Sequence, residues 1–381
     1  MNIKSMMLVL THSCNLHCRY CFVSQKNETM SLQTAKNAID FLIKNCKKEW
    51  VPSINFFGGE PTLCWDSIIV PITKYIREDL KIPFNIGMTS NCTLLNEERL
   101  KFMKKNKINL LFSIDGDQET QDFNRPFHNG QGSFNMLAPL IPQIVKNFNP
   151  TFRATIIPAT CHNTYKNIIF AEKNNFKTFF MVPNVFENWP EEKINELKLE
   201  MHKYSLHIIE CFKYNQSFIR FSTLERSFKD ILKINEAINN NNFRNNCSYF
   251  QKCGLGHTPY VSVDPQGKIY ACQELTSNDK QNIFLIGDIY NGINENSLYK
   301  LKESFNQLKI KGKGCESCRY NRICDGGCVA NNFLLNGNIN FMPSMFCIWK
   351  NILLDEAIFI MNSLSDNKHF IEYWEGNLHG R

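Results

Sequence analysis

Residues 14–22 read Cys-Asn-Leu-His-Cys-Arg-Tyr-Cys-Phe and lie just after an apolar segment, Met6 to Leu10. Three thiolates spaced Cys-x3-Cys-x2-Cys can hold three irons of a cubane iron–sulfur cluster, whose fourth iron then has no protein ligand. The alternatives are three reduced core cysteines or part of a zinc site. Zinc usually takes four ligands, and this loop is too polar for plain core. The cysteine triplet, Cys14, Cys18 and Cys21, therefore predicts an open iron at the end of the first strand.

With Tyr20 and Phe22 around its last cysteine, the triplet resembles the cluster motif of the radical S-adenosylmethionine (radical SAM) enzymes. That resemblance implies that the amino and carboxylate groups of SAM chelate the open iron. It also implies that one electron from the cluster cleaves SAM to a 5′-deoxyadenosyl radical, which abstracts a hydrogen atom from the substrate. The protein's share is to bind, to orient and to exclude competing reactions.

Length and composition limit the possible architectures and classes of function. With 381 residues, 43% of them apolar, the chain can form two domains or one large α/β domain with an appendage. The 43 basic residues exceed the 36 acidic ones without any run of five or six like charges, so a nucleic-acid surface is not indicated. Because there is neither a signal peptide nor an apolar stretch of about eighteen residues, we expect no membrane span. The 16 cysteines then indicate a cytoplasmic, reduced, metal-bound protein.

Short β-rich runs alternate with helix-length amphipathic runs over residues 1–215, which is typical of parallel βα units. About six units are present, fewer than the eight of a closed barrel, so we expect an α/β fold with a partial (β/α)6 TIM-type barrel. The expected helices are Ser31–Lys47, Trp65–Leu80, Asn96–Lys105, Ser133–Lys146, Thr164–Lys173 and Glu191–Phe212. The expected strands after the first are Ser53–Phe57, Phe84–Met88, Ile108–Ile114, Phe152–Ile157 and Thr178–Val182.

Polar residues break this pattern at the carboxyl ends of strands, where active sites of parallel α/β sheets gather. The segment Phe57–Pro61 resembles the family's Gly-Gly-Glu-Pro motif, and its glycines allow main-chain groups to approach the amino end of SAM. In the family, a serine at the fourth strand and a following arginine contact the carboxylate and ribose of SAM. Ser113 and Arg125 fall on those positions, although Arg125 can also be read as an exposed surface pair.

Met181 and Val182 end the sixth strand, where they either close over the adenine or belong to the core. The residues expected to contact SAM are Tyr20, Gly58, Gly59, Glu60, Pro61, Asn91, Ser113, Asp115, Arg125, Met181 and Val182. Five other cysteines share no close spacing and are expected to be free buried thiols: Cys46, Cys64, Cys92, Cys161 and Cys211.

Eight further cysteines occupy residues 247–347. One of them, Cys272, follows an expected β-hairpin with the turn Asp264–Gly267. Eight cysteines make two sets of four, and spacing alone permits two structural zinc ions, because Cys-x2-Cys serves either metal.

The pattern resembles the SPASM extension, which carries two auxiliary 4Fe–4S clusters in peptide-modifying radical SAM enzymes. We therefore expect a bridging region at 216–246, a SPASM domain at 247–347, and a C-terminal helix and tail at 348–381. The resemblance assigns the first auxiliary cluster to Cys247, Cys253, Cys272 and Cys328, and the second to Cys315, Cys318, Cys324 and Cys347. Full cysteine ligation indicates that these clusters move electrons or serve as scaffold.

The residue after Cys272 bears on the reaction. Among enzymes of this layout, the anaerobic sulfatase-maturing enzymes carry an Asp there as the base for the substrate thiol or hydroxyl, whereas this chain has Gln273. An amide is not a base near neutral pH. Glu274 is adjacent, but neighbours on an extended chain point to opposite faces. Tyr270, Gln273 and Glu274 are the candidates for catalytic residues.

The sequence therefore favours a maturase of ribosomally made peptides that forms thioether crosslinks from cysteine. The alternative is formylglycine formation by a sulfatase-maturing enzyme. A hypothesis of another class, a non-catalytic iron–sulfur or zinc protein, does not explain the motif Gly58–Pro61. The expected partners are a peptide or protein substrate and an electron donor such as a flavodoxin or ferredoxin. Because thirteen residues precede Cys14, we expect any leader peptide to bind elsewhere on the chain or to a separate protein.

Overall fold

The computed structural model describes residues 1–239, 259–306 and 314–378, except residues 322 and 325. The contacts within the chain divide it into two compact units. The first unit comprises Met1–Ser113, Arg125–Pro150 and Ser248–Lys309, and the second comprises Ile114–Asn124, Thr151–Cys247 and Ile310–Arg381. The domain boundaries expected from the sequence follow chain order and stay a prediction.

The first unit contains a mixed sheet. Its strands are β1 Ser5–Thr11, β2 Ser53–Gly58, β3 Asn85–Ser90, β4 Ile108–Ser113, β8 Tyr260–Val263, β9 Lys268–Tyr270, β10 Leu285–Asp288 and β11 Gly292–Ile293. They lie in the order β11-β10-β9-β8-β1-β2-β3-β4. Pairing is parallel from β8 through β1 to β4 and antiparallel from β8 to β11. The carboxyl ends of β1 to β4 therefore share one edge of the sheet.

The helices of the first unit follow the predicted βα alternation. They are α1 Leu32–Asn45, a π-helical segment Trp65–Ile69, α2 Val70–Lys74, a second π-helical segment Tyr75–Leu80, α3 Glu97–Lys105, α5 Phe134–Leu137, α6 Ile141–Phe148 and α10 Glu295–Asn306. The prediction of one helix over Ser133–Lys146 is wrong. Two helices occupy this stretch, and Pro142 lies in the first turn of the second, where its missing N–H costs no hydrogen bond.

Helix α1 illustrates how the sequence sets an element. The Ser31 hydroxyl accepts a hydrogen bond from the Thr34 N–H, and such a cap contributes about 1 kcal/mol. Ala38, Ile39 and Leu42 recur at helical spacing and are fully buried, and α1 packs on β1. This packing fixes the strand whose end carries the cysteine triplet.

The predicted β8–β9 hairpin is present. The Asp264 carboxylate accepts the N–H groups of Gln266 and Lys268, each at 2.9 Å, and Gly267 has φ of +86°. Since β8 pairs in parallel with β1, the sheet brings the hairpin that precedes Cys272 beside the strand that precedes the triplet.

The second unit has three parallel strands: β5 Thr151–Ile156, β6 Thr178–Pro183 and β7 Arg220–Phe221. Its helices are α4 Gln118–Asn124, α7 Thr164–Lys173, α8 Glu191–Lys213, α9 Ser222–Asn239, α11 Val329–Asn336, α12 Ser344–Ser363 and α13 Lys368–Leu378. Helix α12 packs against α8 and α9.

Within the bridging region, the many asparagines of Asn235–Asn246 favour a loop, and this prediction is wrong for the first part of the stretch, because α9 continues to Asn239. Residues 240–246 lie outside the described residues. In the part of the chain that the structure describes, no helix is both long and apolar enough to cross a membrane.

Candidate active site and auxiliary cluster cavity

The cysteine triplet lies in the loop that follows β1, and a second loop of the same unit holds its backbone. The His17 N–H donates to the Pro126 carbonyl at 2.8 Å, and His128 Nε2 lies 2.9 Å from the Cys14 carbonyl oxygen. The conformation of the cysteine loop is therefore fixed by contacts distant in sequence.

The three thiols are close enough to affect one another. Burial raises the pKa of Cys14 to about 12, with further increases from the charges of Glu60, Cys18 and Cys21. Neighbouring thiolates repel one another, and metal cations relieve that repulsion, so the donor set fits a cluster. Among the described residues, no three His, Cys, Asp or Glu side chains are placed to share a single metal ion. In a cubane each thiolate binds a different iron.

Gly58 and Gly59 pack directly against the cysteine loop. The N–H groups of Gly59 and Glu60 donate to the carbonyl oxygens of Thr11 and Ser13 at 2.8 and 2.9 Å. A Cβ added at Gly59 would lie 2.1 Å from the Ser13 carbonyl oxygen, so no other residue fits there. The SAM amino group donates hydrogen bonds, so main-chain binding of it would use carbonyl oxygens rather than these N–H groups.

Glu60 is 1% exposed and ties the end of β2 to the end of β3. Its carboxylate accepts from the Thr62 N–H at 3.0 Å, the Thr62 hydroxyl at 2.6 Å, the Ser90 hydroxyl at 2.8 Å and the Asn91 N–H at 2.8 Å. Burial raises the pKa of Glu60, and these four donors counteract that effect. The side chain thus positions the two strand ends rather than presenting a free carboxylate.

Asn91 connects β3 to the cysteine loop. Its Nδ2 lies 3.9 Å from Cys14 Sγ and 3.0 Å from Asn15 Oδ1. Asn15 in turn donates to the Thr93 hydroxyl at 2.8 Å, and that hydroxyl donates to Asn91 Oδ1 at 2.7 Å. Asn91 therefore contacts the cluster loop itself, whereas the sequence indicated only a SAM contact.

Arg125 lies beside the last cysteine of the triplet. Its guanidinium carbon is 5.3 Å from the centre of the Tyr20 ring, and the side chain is buried. Burial raises the pKa of Cys21, and the Arg125 charge opposes that increase. The alternative of an exposed surface pair is therefore wrong for Arg125.

The radical SAM superfamily model matches residues 8–165, which include the triplet, the Gly58–Pro61 motif and Arg125. The chain carries a radical SAM domain. A radical SAM domain uses SAM and a 4Fe–4S cluster, so the predicted enzyme class and this part of the cofactor prediction are confirmed.

Curated relatives, among them a cyclopropyl synthase and a sulfatase-maturating enzyme, match most of the chain. The radical SAM cyclopropyl synthase TigE of Paramaledivibacter caminithermalis is 22% identical, over 93% of this chain and 74% of its own length. A cysteine-type anaerobic sulfatase-maturating enzyme of Clostridium novyi is 24% identical, over 96% of this chain and 100% of its own.

Two solved structures share the fold. Native anSMEcpe with bound AdoMet and Cp18Cys peptide has a TM-score of 0.72 at 17% identity, covering 96% of this chain and 99% of that chain. Streptococcus suis SuiB bound to precursor peptide SuiA has a TM-score of 0.61 at 15% identity, covering 91% and 76%. These likenesses confirm the predicted radical SAM fold with its cysteine-rich C-terminal part.

For the other residues that the sequence predicts to contact SAM, the contact stays a prediction. Ser113 ends β4 in the first unit and is partly exposed, and Pro61 is buried at the start of a 3₁₀ turn. Asp115, in the second unit, accepts the Thr155 N–H at 3.1 Å on one carboxylate oxygen and the Asn124 side-chain amide at 3.0 Å on the other. Met181, also in the second unit, is buried, whereas Val182 beside it is partly exposed.

Gln273 has a partner that the sequence did not indicate. Its Oε1 accepts the Tyr260 hydroxyl at 2.6 Å and lies 3.8 Å from Cys272 Sγ. The amide oxygen is thus occupied directly beside a predicted cluster ligand. No local pattern links Tyr260 to Gln273; only the hairpin geometry brings them together.

The expectation that Glu274 and Gln273 point to opposite faces of an extended chain is wrong, because Gln273–Leu275 form a 3₁₀ turn. Tyr270 is 5% exposed in β9, and burial raises the pKa of its hydroxyl. A catalytic role for any of these three residues stays a prediction.

The second unit contains a cavity of about 720 Å³ that is lined in part by cysteines. Four of its lining residues are those assigned to the second auxiliary cluster: Cys315, Cys318, Cys324 and Cys347. Burial raises the pKa of Cys347, and the charges of Cys318 and Cys315 raise it further, so these thiols are neighbours. The donor set fits a fully ligated cluster.

Contacts between α12 and the cysteine loop shape this cavity. Asp355 on α12 accepts hydrogen bonds from Arg319 and Tyr320, which lie between Cys318 and Cys324. Asp355 therefore ties the loop with three of the cysteines to the helix with the fourth. No local sequence pattern identifies Asp355, because Lys350 and Glu356 are also charged residues of α12.

The ligands assigned to the first auxiliary cluster are not all described. Cys247 and Cys253 lie outside the described residues. Cys272 is in the first unit, and Cys328, at the N-terminus of α11, is in the second. This assignment therefore stays a prediction.

Proposed function

We propose that the chain is a radical SAM maturase that modifies a ribosomally made peptide by joining a cysteine sulfur to carbon in a thioether. Peptide substrates are supported by the two solved structures of the same fold, which hold the Cp18Cys peptide and the precursor peptide SuiA. When bound, the cluster and SAM supply a 5′-deoxyadenosyl radical that removes a hydrogen atom from the substrate.

The chain's own residues then have distinct tasks. Cys14, Cys18 and Cys21 hold the SAM-binding cluster, while Glu60 and Asn91 fix the loop that carries them. The cysteines of the second-unit cavity would hold an auxiliary cluster, which would supply an acceptor for the electron that is released when the carbon–sulfur bond forms and the thiol proton leaves. The first auxiliary cluster, an electron donor such as a flavodoxin or ferredoxin, and a separate leader-binding protein complete the proposed system.

The observation that carries the thioether proposal is Gln273. Its amide oxygen accepts the Tyr260 hydroxyl at 2.6 Å, and an amide has no basic site near neutral pH. A reaction that needs a carboxylate base at this position, next to Cys272, is therefore disfavoured.

Formylglycine formation is the second candidate. It is supported by the sulfatase-maturating relative from Clostridium novyi, which matches over its full length. The 3₁₀ turn at Gln273–Leu275 also supports it, because the turn removes the argument that Glu274 must face away from Gln273.

Mass spectrometry of two peptide probes distinguishes the candidates. The reconstituted enzyme is incubated anaerobically with SAM and dithionite, and either Cp18Cys or synthetic copies of the cysteine-containing peptides encoded beside the gene. Both reactions remove two hydrogens, but thioether formation keeps the sulfur, whereas formylglycine formation also replaces the sulfur with oxygen. We expect the former on an encoded peptide and no change in Cp18Cys. Formylglycine in Cp18Cys would establish the second candidate, and absence of 5′-deoxyadenosine would refute both.

A further inference from the structure

Helix α12 presents three polar side chains to the cysteine-lined cavity within five residues. Cys347, Lys350 and Asn351 all line the cavity. Residues three and four apart lie on the same face of a helix, so Lys350 and Asn351 sit one turn beyond the cysteine ligand. The remaining question is what an ammonium group and an amide do beside a cluster.

Asn351 contacts the ligand sulfur itself. Its Nδ2 lies 3.9 Å from Cys347 Sγ, within hydrogen-bonding distance for sulfur. Reduction adds negative charge to a cluster and its thiolates, and hydrogen bonds to the sulfurs stabilise that charge. The Asn351 amide therefore favours the reduced state.

Lys350 adds a buried charge. Its Nζ lies 3.0 Å from Asp230 Oδ2, and the two residues are 9% and 7% exposed. Charges act over longer distances in such a poorly solvated site than at the surface. Lys350 is a lining residue of the cavity, so its charge favours an added electron, and the neighbouring Asp230 carboxylate opposes it.

We propose that Lys350 and Asn351 raise the reduction potential of the second auxiliary cluster and that Asp230 offsets part of the effect of Lys350. This proposal rests on the proposed function, because it takes Cys315, Cys318, Cys324 and Cys347 as cluster ligands. The three residues are positioning residues, since they act on the cluster through its charge and one of its sulfurs.

The test is a redox titration followed by electron paramagnetic resonance. It uses the full chain with the triplet changed to Ala, so that only auxiliary clusters remain. A further Cys347→Ala variant identifies the signal of the second auxiliary cluster as the one that disappears. The midpoint potential of that signal is then measured in the variants Lys350→Met, Asp230→Asn, Asn351→Leu and the double variant Lys350→Met/Asp230→Asn.

Opposite signs are expected for the two members of the ion pair. Lys350→Met should lower the ratio of reduced to oxidised cluster at a fixed potential about tenfold, equal to ~59 mV for one electron. Asp230→Asn should raise the ratio by a similar factor, and the double variant should return close to the starting value. Asn351→Leu should lower it by about threefold. Lys198→Met is the matched control, because Lys198 lines the same cavity but is exposed to solvent, which screens its charge.

A merely structural role would not give shifts of opposite sign. If Lys350→Met does not fold because Asp230 is left buried and unpaired, Asp230→Asn and the double variant still test whether the two charges shift the potential. Retained iron with unchanged or same-direction potentials would overturn this inference and leave the proposed function standing. Zinc in place of iron, with no Cys347-dependent signal, would overturn this inference together with the auxiliary-cluster part of the proposed function.

Discussion

The two cysteine sites of the chain differ in how their ligands are supported. The triplet of the first unit comes from one short loop, and main-chain contacts with Gly59 and Pro126 together with the Asn91 amide hold that loop. The cavity of the second unit takes three cysteines from a loop and the fourth from α12, and Asp355 joins the two.

This difference corresponds to different chemistry. Three ligands leave one iron for SAM, so the surrounding loops must fix an incomplete site by backbone packing. In the proposed auxiliary cluster, four cysteine ligands would leave no open iron, so its surroundings would influence only its charge and stability. Substitutions should therefore affect SAM cleavage at the first site and electron transfer or iron content at the second.

The largest expected effect comes from removing the ligands of each site in turn. Changing Cys14, Cys18 and Cys21 to Ala should abolish formation of 5′-deoxyadenosine and reduce the iron content from about twelve to about eight per chain. Cys347→Ala should lower the iron content but leave SAM cleavage, because the open iron is at the triplet. Iron analysis and chromatography of 5′-deoxyadenosine measure both. Loss of SAM cleavage in Cys347→Ala with the triplet cluster intact would show that the sites do not have separate roles.

Gly59→Ala should have the next largest effect, confined to the first site. Its Cβ would collide with the Ser13 carbonyl oxygen at 2.1 Å and displace the cysteine loop, so iron at the triplet and SAM cleavage should fall at least tenfold. Gly292→Ala is the matched control, since it strains a backbone with φ of +93° but meets no atom within 4 Å. Equal losses of SAM cleavage in both variants would indicate general destabilisation instead.

Asp355→Ala should affect only the second site, and more mildly. Without the carboxylate, Arg319 and Tyr320 no longer fix the cysteine loop to α12, so we expect partial loss of about four irons with SAM cleavage preserved. Asp366→Ala, an exposed aspartate just beyond α12, should retain all of its iron. Full iron content in Asp355→Ala would show that the four cysteines hold the loop unaided.

The sequence predicted what depends on local interactions. The Ser31 cap sets the start of α1, the Asp264–Gly267 turn sets the hairpin, and the spacing of the triplet identifies its chemistry, all within a few residues. The helix break at Pro142 was missed because the apolar spacing continues across it, although proline favours a helix start there.

Contacts between distant residues were beyond the sequence pattern. Asn91 and Cys14 are 77 positions apart, and Asp230 and Lys350 are 120 apart. Such pairs arise only when strands and helices have packed, and a single sequence does not record which polar residues meet. Gln273 is an example. Its residue type, read from the sequence, indicates that a carboxylate base is absent, but the sequence does not indicate its hydrogen bond with Tyr260.

The smallest expected effect tests how far side chains support the first site. Thr93→Val removes the hydroxyl that joins Asn15 to Asn91, which should lower the free energy of unfolding by about 1 to 2 kcal/mol and weaken SAM binding a few-fold.

Thr73→Val is the matched control, because the buried Thr73 hydroxyl has no hydrogen-bond partner among the residues that the structure describes. Losing that hydroxyl should be neutral or slightly stabilising, since no bond is broken and a buried polar group is removed. Thermal unfolding and the KM for SAM compare the two variants. Equal behaviour would mean that the Thr93 hydroxyl is not needed to hold the cysteine loop, which the Asn91 amide and the backbone contacts of Gly59 and Pro126 then fix without it.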